Sequence, residues 1–417
     1  MVAYLTRIAV IALLLAGGPV AGHAQSESLE GLKREVLQLQ QAGRYQEASF
    51  VAQRALALAE GTLGSDHPQV GESLNDLAFL YAELGGYGDA EPLYMRSLAI
   101  REKALGPDHV DVAESLNNLG GLRWKQGRHG DAVMLLQRSL RILENAPGAD
   151  HERVASLVNN LGVLYNDMGR LADAEAFHKR SLLMREKALG PEHLDVAESL
   201  NNLALLYRNQ GRYAQATTLL TQSLTIAERG LGSEHPTVGR ILNSVAGLYQ
   251  LQSRFRDAEP LYKRALVIRE KTFGLDHPDV AQSVNNLAWL YSAQGRYVEA
   301  EPLYKRALAT WEKTLGNEHT EVATALSNLA LLYDEQGRYA EAELLQRRAL
   351  AISEKVRPAD HPDIALRLHN LAGLLFDSGQ QSLAEQFYHR ALAIREMALG
   401  PEHPDVGQSL HSLARFH

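Results

Sequence analysis

Residues 197–238 read AESLNNLALLYRNQGRYAQATTLLTQSLTIAERGLGSEHPTV, and this stretch decides the fold. Its first apolar residues follow the i, i+3, i+4, i+7 spacing of one face of an α-helix, at Leu200, Leu203, Ala204 and Tyr207. Gly211 ends this helix, because glycine adopts the left-handed backbone of a helix C-terminus without strain. A second helix is predicted from near Tyr213 to about Arg229. The stretch is therefore one helix–turn–helix unit.

The unit recurs along the chain at a fixed period of 42 residues, from 67 to 109 for example. Nine histidines mark this period: His67, His109, His151, His193, His235, His277, His319, His361 and His403. A fixed period of this size is typical of a solenoid, and no segment alternates as a β-strand does. We therefore predict an all-α chain with eight full helix pairs over residues 71–396, a degenerate pair or cap at 25–60 and a C-terminal half unit at 407–417.

The N-terminal segment has the pattern of an export signal. Arg7 precedes an apolar run at residues 8–16, and the small residues that end at Ala24 are typical of a cleavage site. The run is shorter than the roughly 20 residues that a membrane-spanning helix needs. We predict a cleaved signal peptide over residues 1–24 and an exported mature chain, periplasmic or secreted, in a bacterium. The alternatives are an uncleaved anchor and a misassigned start.

Composition excludes several classes of site and partner. The net charge is −8, whereas nucleic-acid-binding domains usually carry a basic stripe. The chain has no cysteine, which excludes disulfides, thiolate metal sites and cysteine nucleophiles. No segment after the N-terminal one is apolar enough to span a membrane. We therefore expect no nucleic-acid partner and no transmembrane segment in the mature chain.

Two phrases carry a resemblance to a known family. The run LYKRALVIREK stands at Leu261–Lys271, and GLDHPDVA follows at Gly274–Ala281. They resemble the 42-residue tetratricopeptide repeats of kinesin light chains and of related bacterial proteins, over residues 29–417. The resemblance implies a right-handed superhelical α-solenoid whose first helices line a concave groove for peptides. It does not imply attachment to a motor protein, because light chains carry a long coiled coil where this chain has its predicted export signal.

The resemblance places a recurring pair of asparagines in that groove. Each amide offers two donors and an acceptor, so a row of them can bind the backbone of an extended peptide. Trp and Arg are frequent hot spots of binding, and Trp124, Lys125 and Arg240 also depart from the repeat consensus on this surface. The residues predicted to bind a peptide are Asn117, Asn118, Asn159, Asn160, Asn201, Asn202, Arg208, Asn285, Asn286, Trp289 and Asn328. The alternative is that the amides connect adjacent repeats or face water.

The histidine series is not predicted to bind metal. Ligands of one zinc lie within about 4 Å of each other, whereas equivalent residues of stacked repeats lie about one helix diameter apart, roughly 10 Å. Each histidine precedes a first helix, so we predict that it caps or packs at that turn. His369 and His411 stand at groove positions but belong to different repeats. No catalytic or phosphate-binding motif occurs, so we expect no cofactor and no enzyme activity.

These observations predict a non-catalytic scaffold that binds protein or peptide partners whose identity the sequence does not give. The alternative is a structural, self-assembling protein of the cell envelope, because Leu410, Leu413 and Phe416 form an apolar stripe on the last half unit. The same stripe also fits a cap that covers the last repeat. The sequence does not predict the oligomeric state.

Overall fold

A computed structural model describes residues 28–146, 151–401 and 403–416. In these ranges the chain forms 19 α-helices and one short 3-10 turn, with no β-strand, which confirms the predicted all-α fold. The predicted signal peptide at 1–24 lies outside the described residues. Within them, every helix is too short or too polar to cross a membrane.

The helices follow one another in pairs. Odd-numbered helices are the first helices of the pairs and even-numbered helices are the second, and α19 with the 3-10 turn Ala414–Phe416 forms the last half unit. The bounds are α1 Leu29–Gln41, α2 Tyr45–Leu63, α3 Pro68–Glu83, α4 Tyr87–Leu105, α5 Val110–Lys125, α6 His129–Asn145, α7 His151–Asp167, α8 Leu171–Leu189, α9 Leu194–Asn209, α10 Tyr213–Leu231, α11 Pro236–Leu251, α12 Phe255–Phe273, α13 Pro278–Ala293, α14 Tyr297–Leu315, α15 Thr320–Glu335, α16 Tyr339–Val356, α17 Pro362–Asp377, α18 Gln381–Leu399 and α19 Pro404–Leu413.

Eight of the first helices begin about three residues earlier than the apolar spacing predicts, because the histidine before each of them is an N-cap. The other two differ: Ser28 caps α1, and His151 does not precede its helix as predicted but is the first residue of α7. His193 has an extended backbone, and its Nδ1 accepts the N–H of Asp195 at 3.2 Å. This bond satisfies one of the backbone donors that a helix start leaves without a partner. The same cap occurs at His67, His109, His235, His277, His319, His361 and His403. The predicted capping role is confirmed at these eight positions.

The core lies between the two helices of each unit and between neighbouring units. The predicted apolar face of α9 is buried, at Leu200, Leu203, Ala204 and Tyr207. Ser223 of α10 donates to the carbonyl of Ala197 at 2.6 Å, which joins the two helices of that unit.

A buried arginine joins each of several units to the next. Arg185 of α8 donates to the carbonyl of Asp195 at 2.9 Å and to Ser199 Oγ at 3.0 Å, both on α9. Arg101, Arg269 and Arg395 make the same two contacts in their own units. The arginine stands in four of the units, so the same set of contacts fixes how each of these four second helices packs on the next first helix.

The stack curves far enough for its last units to contact its first ones. The glycine in the turn after α1 lies against the histidine that caps α13, and the next three pairs follow at the same separation of 234 residues. These pairs are Gly43–His277, Gly85–His319, Gly127–His361 and Gly169–His403. We call this line of contacts the seam. It makes the solenoid a superhelix whose successive turns contact each other.

The last half unit covers the end of the stack. Phe416 packs edge-on against Phe376 at 5.2 Å and against Tyr388 at 6.0 Å between ring centroids. Leu413 is buried, whereas Leu410 is 51% exposed. Two of the three apolar side chains of the predicted stripe therefore pack onto the last repeat, as a cap does, and one remains at the surface.

Candidate interaction groove

The first helices lie on the inside of the curve. Neighbouring first helices contact each other directly, as α9 does with α11 and α11 with α13. Second helices pack mainly against the first helix of their own unit and that of the next. First helices are therefore closer together, so their exposed sides form the concave surface. We call this surface the groove.

The predicted asparagine pairs form hydrogen bonds from one unit to the next. The second asparagine of a unit donates to the first asparagine of the preceding unit: Asn160 to Asn117 at 3.3 Å, Asn202 to Asn159 at 3.1 Å and Asn328 to Asn285 at 3.1 Å. Asn117 also donates to Asn118 at 3.2 Å. The amides connect adjacent repeats, which is the alternative stated from the sequence. We call this row the asparagine ladder.

Burial divides the ladder into two sets. Asn159, Asn201 and Asn285 are buried, so they offer little surface to a ligand, and Asn201 does not point into the open groove as its position in the repeat suggests. The members that keep accessible surface are partly buried: Asn117, Asn118, Asn160, Asn202, Asn286 and Asn328. A partner in the groove would therefore meet this second set.

The ladder is interrupted where a serine replaces an asparagine. Ser244 stands where the pattern would place a donor to Asn201. The Oδ1 of Asn201 is buried and has no hydrogen-bond partner. A buried amide oxygen without a donor is unfavourable by about 1–3 kcal/mol. The unit of α11 is therefore joined less firmly to the unit of α9 on this surface.

A recess in the groove lies between α3 and α5. It has a volume of about 200 Å³ and is lined mainly by apolar atoms, with Phe79 and Trp124 at its sides and Leu122 in its lining. Gly121 keeps it open, because no atom lies within 4 Å of the position that a Cβ would take there. The Trp124 indole N–H donates to Asp167 Oδ2 at 2.9 Å, which fixes the ring.

Polar groups also line this recess. The amides of Asn118 and Asn160 contribute to its lining. Lys125 Nζ lies 2.5 Å from Glu83 Oε1, and this ion pair connects α5 to α3 beside the recess. An apolar side chain can therefore enter while the backbone that carries it meets amide groups.

Sequence reasoning missed this recess, although a signal for it was present. The residue at the register of Gly121 differs from unit to unit, while the core and cap positions repeat. From α3 to α17 the residues at this register are Phe79, Gly121, Val163, Leu205, Gly247, Trp289, Leu331 and Gly373. Glycines thus interrupt a series of larger apolar residues along the groove. Trp289 is 46% exposed, in keeping with its predicted place on this surface.

Arg208 is a partly buried cation in the groove. Its guanidinium donates to Asn209 Oδ1 at 3.2 Å, and it forms no ion pair with a carboxylate in the described part of the chain. Its Nη1 would lie 3.8 Å from a Cβ built on Gly247. Burial lowers the pKa of Arg208 below its ordinary value. The predicted site residue therefore has donor capacity that its neighbours do not use.

Four carboxylates of the first helices have raised pKa values: Asp76, Asp167, Glu321 and Asp334. Burial, with the negative charge of Glu72, raises the pKa of Asp76 to about 6. Burial raises the pKa of Asp334 to about 6 as well, and Asp377 adds to the effect. Asp76, on α3, and Asp334, on α15, therefore lose their charge in mildly acidic solution.

The histidines at groove positions do not form a metal site. His369 packs edge-on against Tyr388 at 5.0 Å, and burial lowers its pKa to about 4. His411 is exposed on α19. Among residues 28–146, 151–401 and 403–416, no three His, Asp or Glu side chains are placed to hold one ion.

Comparison with known proteins identifies the repeats. A sequence profile described as tetratricopeptide repeat matches residues 36–103, 74–145, 152–229, 237–309 and 291–355, and a second profile of that description matches 364–405. No curated protein matches the chain significantly.

Solved structures resemble parts of the chain or its overall fold. A putative kinesin light chain from Podosopora anserina with nearly identical TPR-like repeats is 30% identical; the match covers 49% of this chain and 98% of that one, with a TM-score of 0.41. BtubC (BKLC) from P. vanneervenii is 25% identical over 56% of this chain and 91% of its own, with a TM-score of 0.43. Aspartyl phosphate phosphatase F from Bacillus subtilis is 14% identical over 92% and 98%, with a TM-score of 0.52, a likeness of fold alone.

Proposed function

Because the chain belongs to the tetratricopeptide-repeat family, we propose that it is a non-catalytic scaffold that binds a peptide or protein partner along its concave groove. Stacked repeats present an extended inner surface that suits this role. The observation that carries the proposal is the recess at Gly121, whose lining combines mainly apolar atoms with the amide groups of asparagines.

In this proposal an apolar side chain of the partner occupies the recess between Phe79 and Trp124. Burial of such a side chain contributes about 1.5–3 kcal/mol. The partly buried amides of Asn118 and Asn160 hydrogen-bond the partner's backbone on either side. These contacts hold an extended segment without requiring one particular sequence.

Differences between units would select the partner. Leu205, Trp289 and Leu331 project where Gly121 leaves a space, so the groove carries a particular order of projections and recesses. Arg208 adds donors between them. A partner whose side chains fit this order would bind more tightly than one that fits only the recess.

Export to a bacterial periplasm or to the outside remains part of the proposal and rests on the sequence of residues 1–24. It is tested by fractionating cells that express the full chain and sequencing the N-terminus of the recovered protein. A mature N-terminus at Gln25 supports export, and an intact N-terminus in the cytoplasmic fraction overturns it.

Filling the recess tests the binding site. Gly121→Leu introduces a leucine, which other units already have at this register, at Leu205 and Leu331, and the space for it is open. Gly130→Leu, on the second helix of the same unit, is the matched control, because a Cβ there also meets nothing within 4 Å. Both baits, checked for helical content and melting temperature, are used to capture proteins from an envelope extract.

A partner that is captured by the parent and by Gly130→Leu, but not by Gly121→Leu, supports groove binding. Equal capture by all three places binding elsewhere and overturns the proposed site. If no bait captures a partner and the mature chain associates as its concentration rises, the self-assembling role takes the place of the scaffold.

A further inference from the structure

The seam joins two turns of the superhelix through four histidines, and in His319 and His361 both sides of the ring are engaged. We propose that the seam is a closure that opens in acid, because His319 and His361 keep it closed only while their imidazoles are neutral. This inference rests on the seam alone and does not depend on ligand binding in the groove.

His319 shows the arrangement in full. Its Nδ1 accepts the N–H of Glu321 at 3.1 Å, within its own turn. Its Nε2 lies 3.0 Å from the carbonyl oxygen of Glu83, on the other turn. A neutral imidazole has one N–H, and because Nδ1 accepts, that N–H is on Nε2 and donates to Glu83. A second proton can only go to Nδ1, where it faces the Glu321 N–H donor and breaks the cap.

His361 repeats the arrangement one unit later. Its Nδ1 accepts the N–H of Asp363 at 3.0 Å, and its ring also meets the carbonyl of Lys125 on the other turn. The edge of the ring lies 2.5 Å from the position of a Cβ on Gly127, so only a glycine allows this approach. The two turns are therefore in contact through the imidazole itself.

The charges that face His319 act in both directions, since Glu83 favours a proton on the ring and two cations disfavour one. Lys125 of the first turn and Arg357 of its own turn are cations near the ring, and Glu83 is the anion. Burial is the main cause that lowers the pKa of His319 to about 4 from the ordinary value of 6.5.

His361 faces a comparable set. Asp363 attracts a proton to it, whereas Arg357 and His129 disfavour one, and burial again lowers its pKa to about 4. Asp363 is itself paired with Arg357 at 3.2 Å, so its charge is partly compensated. A protonated ring at either position is stabilised if the turns separate and water reaches it.

The size of the effect follows from the two pKa values. With a pKa of about 4 in the closed seam and 6.5 in water, each histidine favours the open form about thirtyfold at pH 5 relative to pH 7.5. The two together favour it about a thousandfold.

The absence of cysteine makes a direct distance measurement simple. The substitutions Gly130→Cys and Ala359→Cys introduce two cysteines for spin labels, at exposed sites on opposite sides of the seam. A control pair at Gly88→Cys and Gly130→Cys lies in adjacent units and does not cross the seam. The distance between the two spin labels is measured by pulsed electron–electron double resonance at pH 7.5 and pH 5.

We expect one short distance across the seam at pH 7.5 and a second, longer one at pH 5, with the control pair unchanged. A seam distance that is the same at both pH values overturns the proposal. So does a control distance that changes along with it, because acid would then act on the whole solenoid.

The histidines are tested by His319→Asn with His361→Asn. Asparagine is a strong N-cap and does not titrate, so the seam distance of this variant should be the same at pH 5 as at pH 7.5. Opening of this variant in acid as in the parent assigns the effect to other groups and contradicts the proposal. Independently, Gly127→Ala should open the seam at pH 7.5, because its Cβ occupies the place of the His361 ring; a closed seam in this variant also contradicts it.

Discussion

The same histidine occupies two different environments in this molecule. His193 and His361 cap first helices through the same Nδ1 bond, but the side chain of His193 is 44% exposed and that of His361 is 10% exposed. Each stands two residues before the aspartate whose N–H it accepts, so their local roles are the same. The difference arises because a second turn of the superhelix covers His361 and nothing covers His193. The repeat therefore determines the local structure of a residue. Its exposure to solvent depends on the position of its unit along the superhelix.

The largest expected effect comes from the aromatic residue at the start of a second helix. Tyr87 is 6% exposed and Arg357 lies 5.2 Å above its ring, across the seam, whereas Tyr339 is 39% exposed at the equivalent position. We expect Tyr87→Ala to lower the free energy of unfolding by about 3 kcal/mol and Tyr339→Ala by about 1 kcal/mol. Urea unfolding followed by helical signal measures both, and equal losses would remove the distinction between the two regions.

The turn glycines give the next comparison. Gly127 and Gly211 both have a positive φ, near 75° and 72°, but only Gly127 faces a histidine ring. Alanine at either position is strained by about 1 kcal/mol, and overpacking adds about 1–3 kcal/mol at Gly127. Thermal melts of Gly127→Ala and Gly211→Ala should therefore differ. If Gly211→Ala is as destabilising as Gly127→Ala, the seam contributes nothing to stability.

Acid should also lower the stability of the covered region more than that of the uncovered one. Because the pKa of His319 falls from 6.5 to about 4 on folding, the unfolded chain binds a proton between these values that the folded chain does not. Its stabilising contribution is complete above pH 6.5 and is lost as pH falls toward 4. Between pH 7 and pH 5 the parent should lose about 2 kcal/mol more than His319→Asn. His193→Asn shows the effect of the exchange itself at pH 7, and parallel pH profiles of parent and His319→Asn would contradict this prediction.

The smallest effect concerns an uncovered cap. His193→Ala removes the acceptor for the Asp195 N–H and should lower the free energy of unfolding by about 1 kcal/mol. His193→Asn should restore most of it, because the asparagine oxygen accepts the same N–H. A deficit that asparagine does not restore would mean that the ring contributes more than its hydrogen bond.

The repeated features could be predicted because they depend on neighbours in sequence. The apolar face of α9, the stop at Gly211 and the capping histidines follow from spacing and backbone geometry within one unit. The asparagines could be placed on the first helices but not assigned, since bonding to a neighbour and bonding to a partner require the same side chain. The recess at Gly121 had a signal in the sequence, because the residue type at its register varies from unit to unit. The seam had no such signal. It depends on small rotations that accumulate over several units, which no short stretch of sequence encodes.

The constant separation of 234 residues across the seam has a consequence for how such a chain can grow. A gene that gains one unit by tandem duplication keeps the contacts between neighbouring units, because the residues that make them are duplicated with the unit. A short ancestor would gain only one more stacked unit at each step. Once the chain exceeds a full turn, each duplication also adds a glycine–histidine contact to the seam. Each unit added beyond one turn therefore gains a contact with its neighbour and a contact across the seam. Selection can thus favour long arrays even when the sequence of the units does not change.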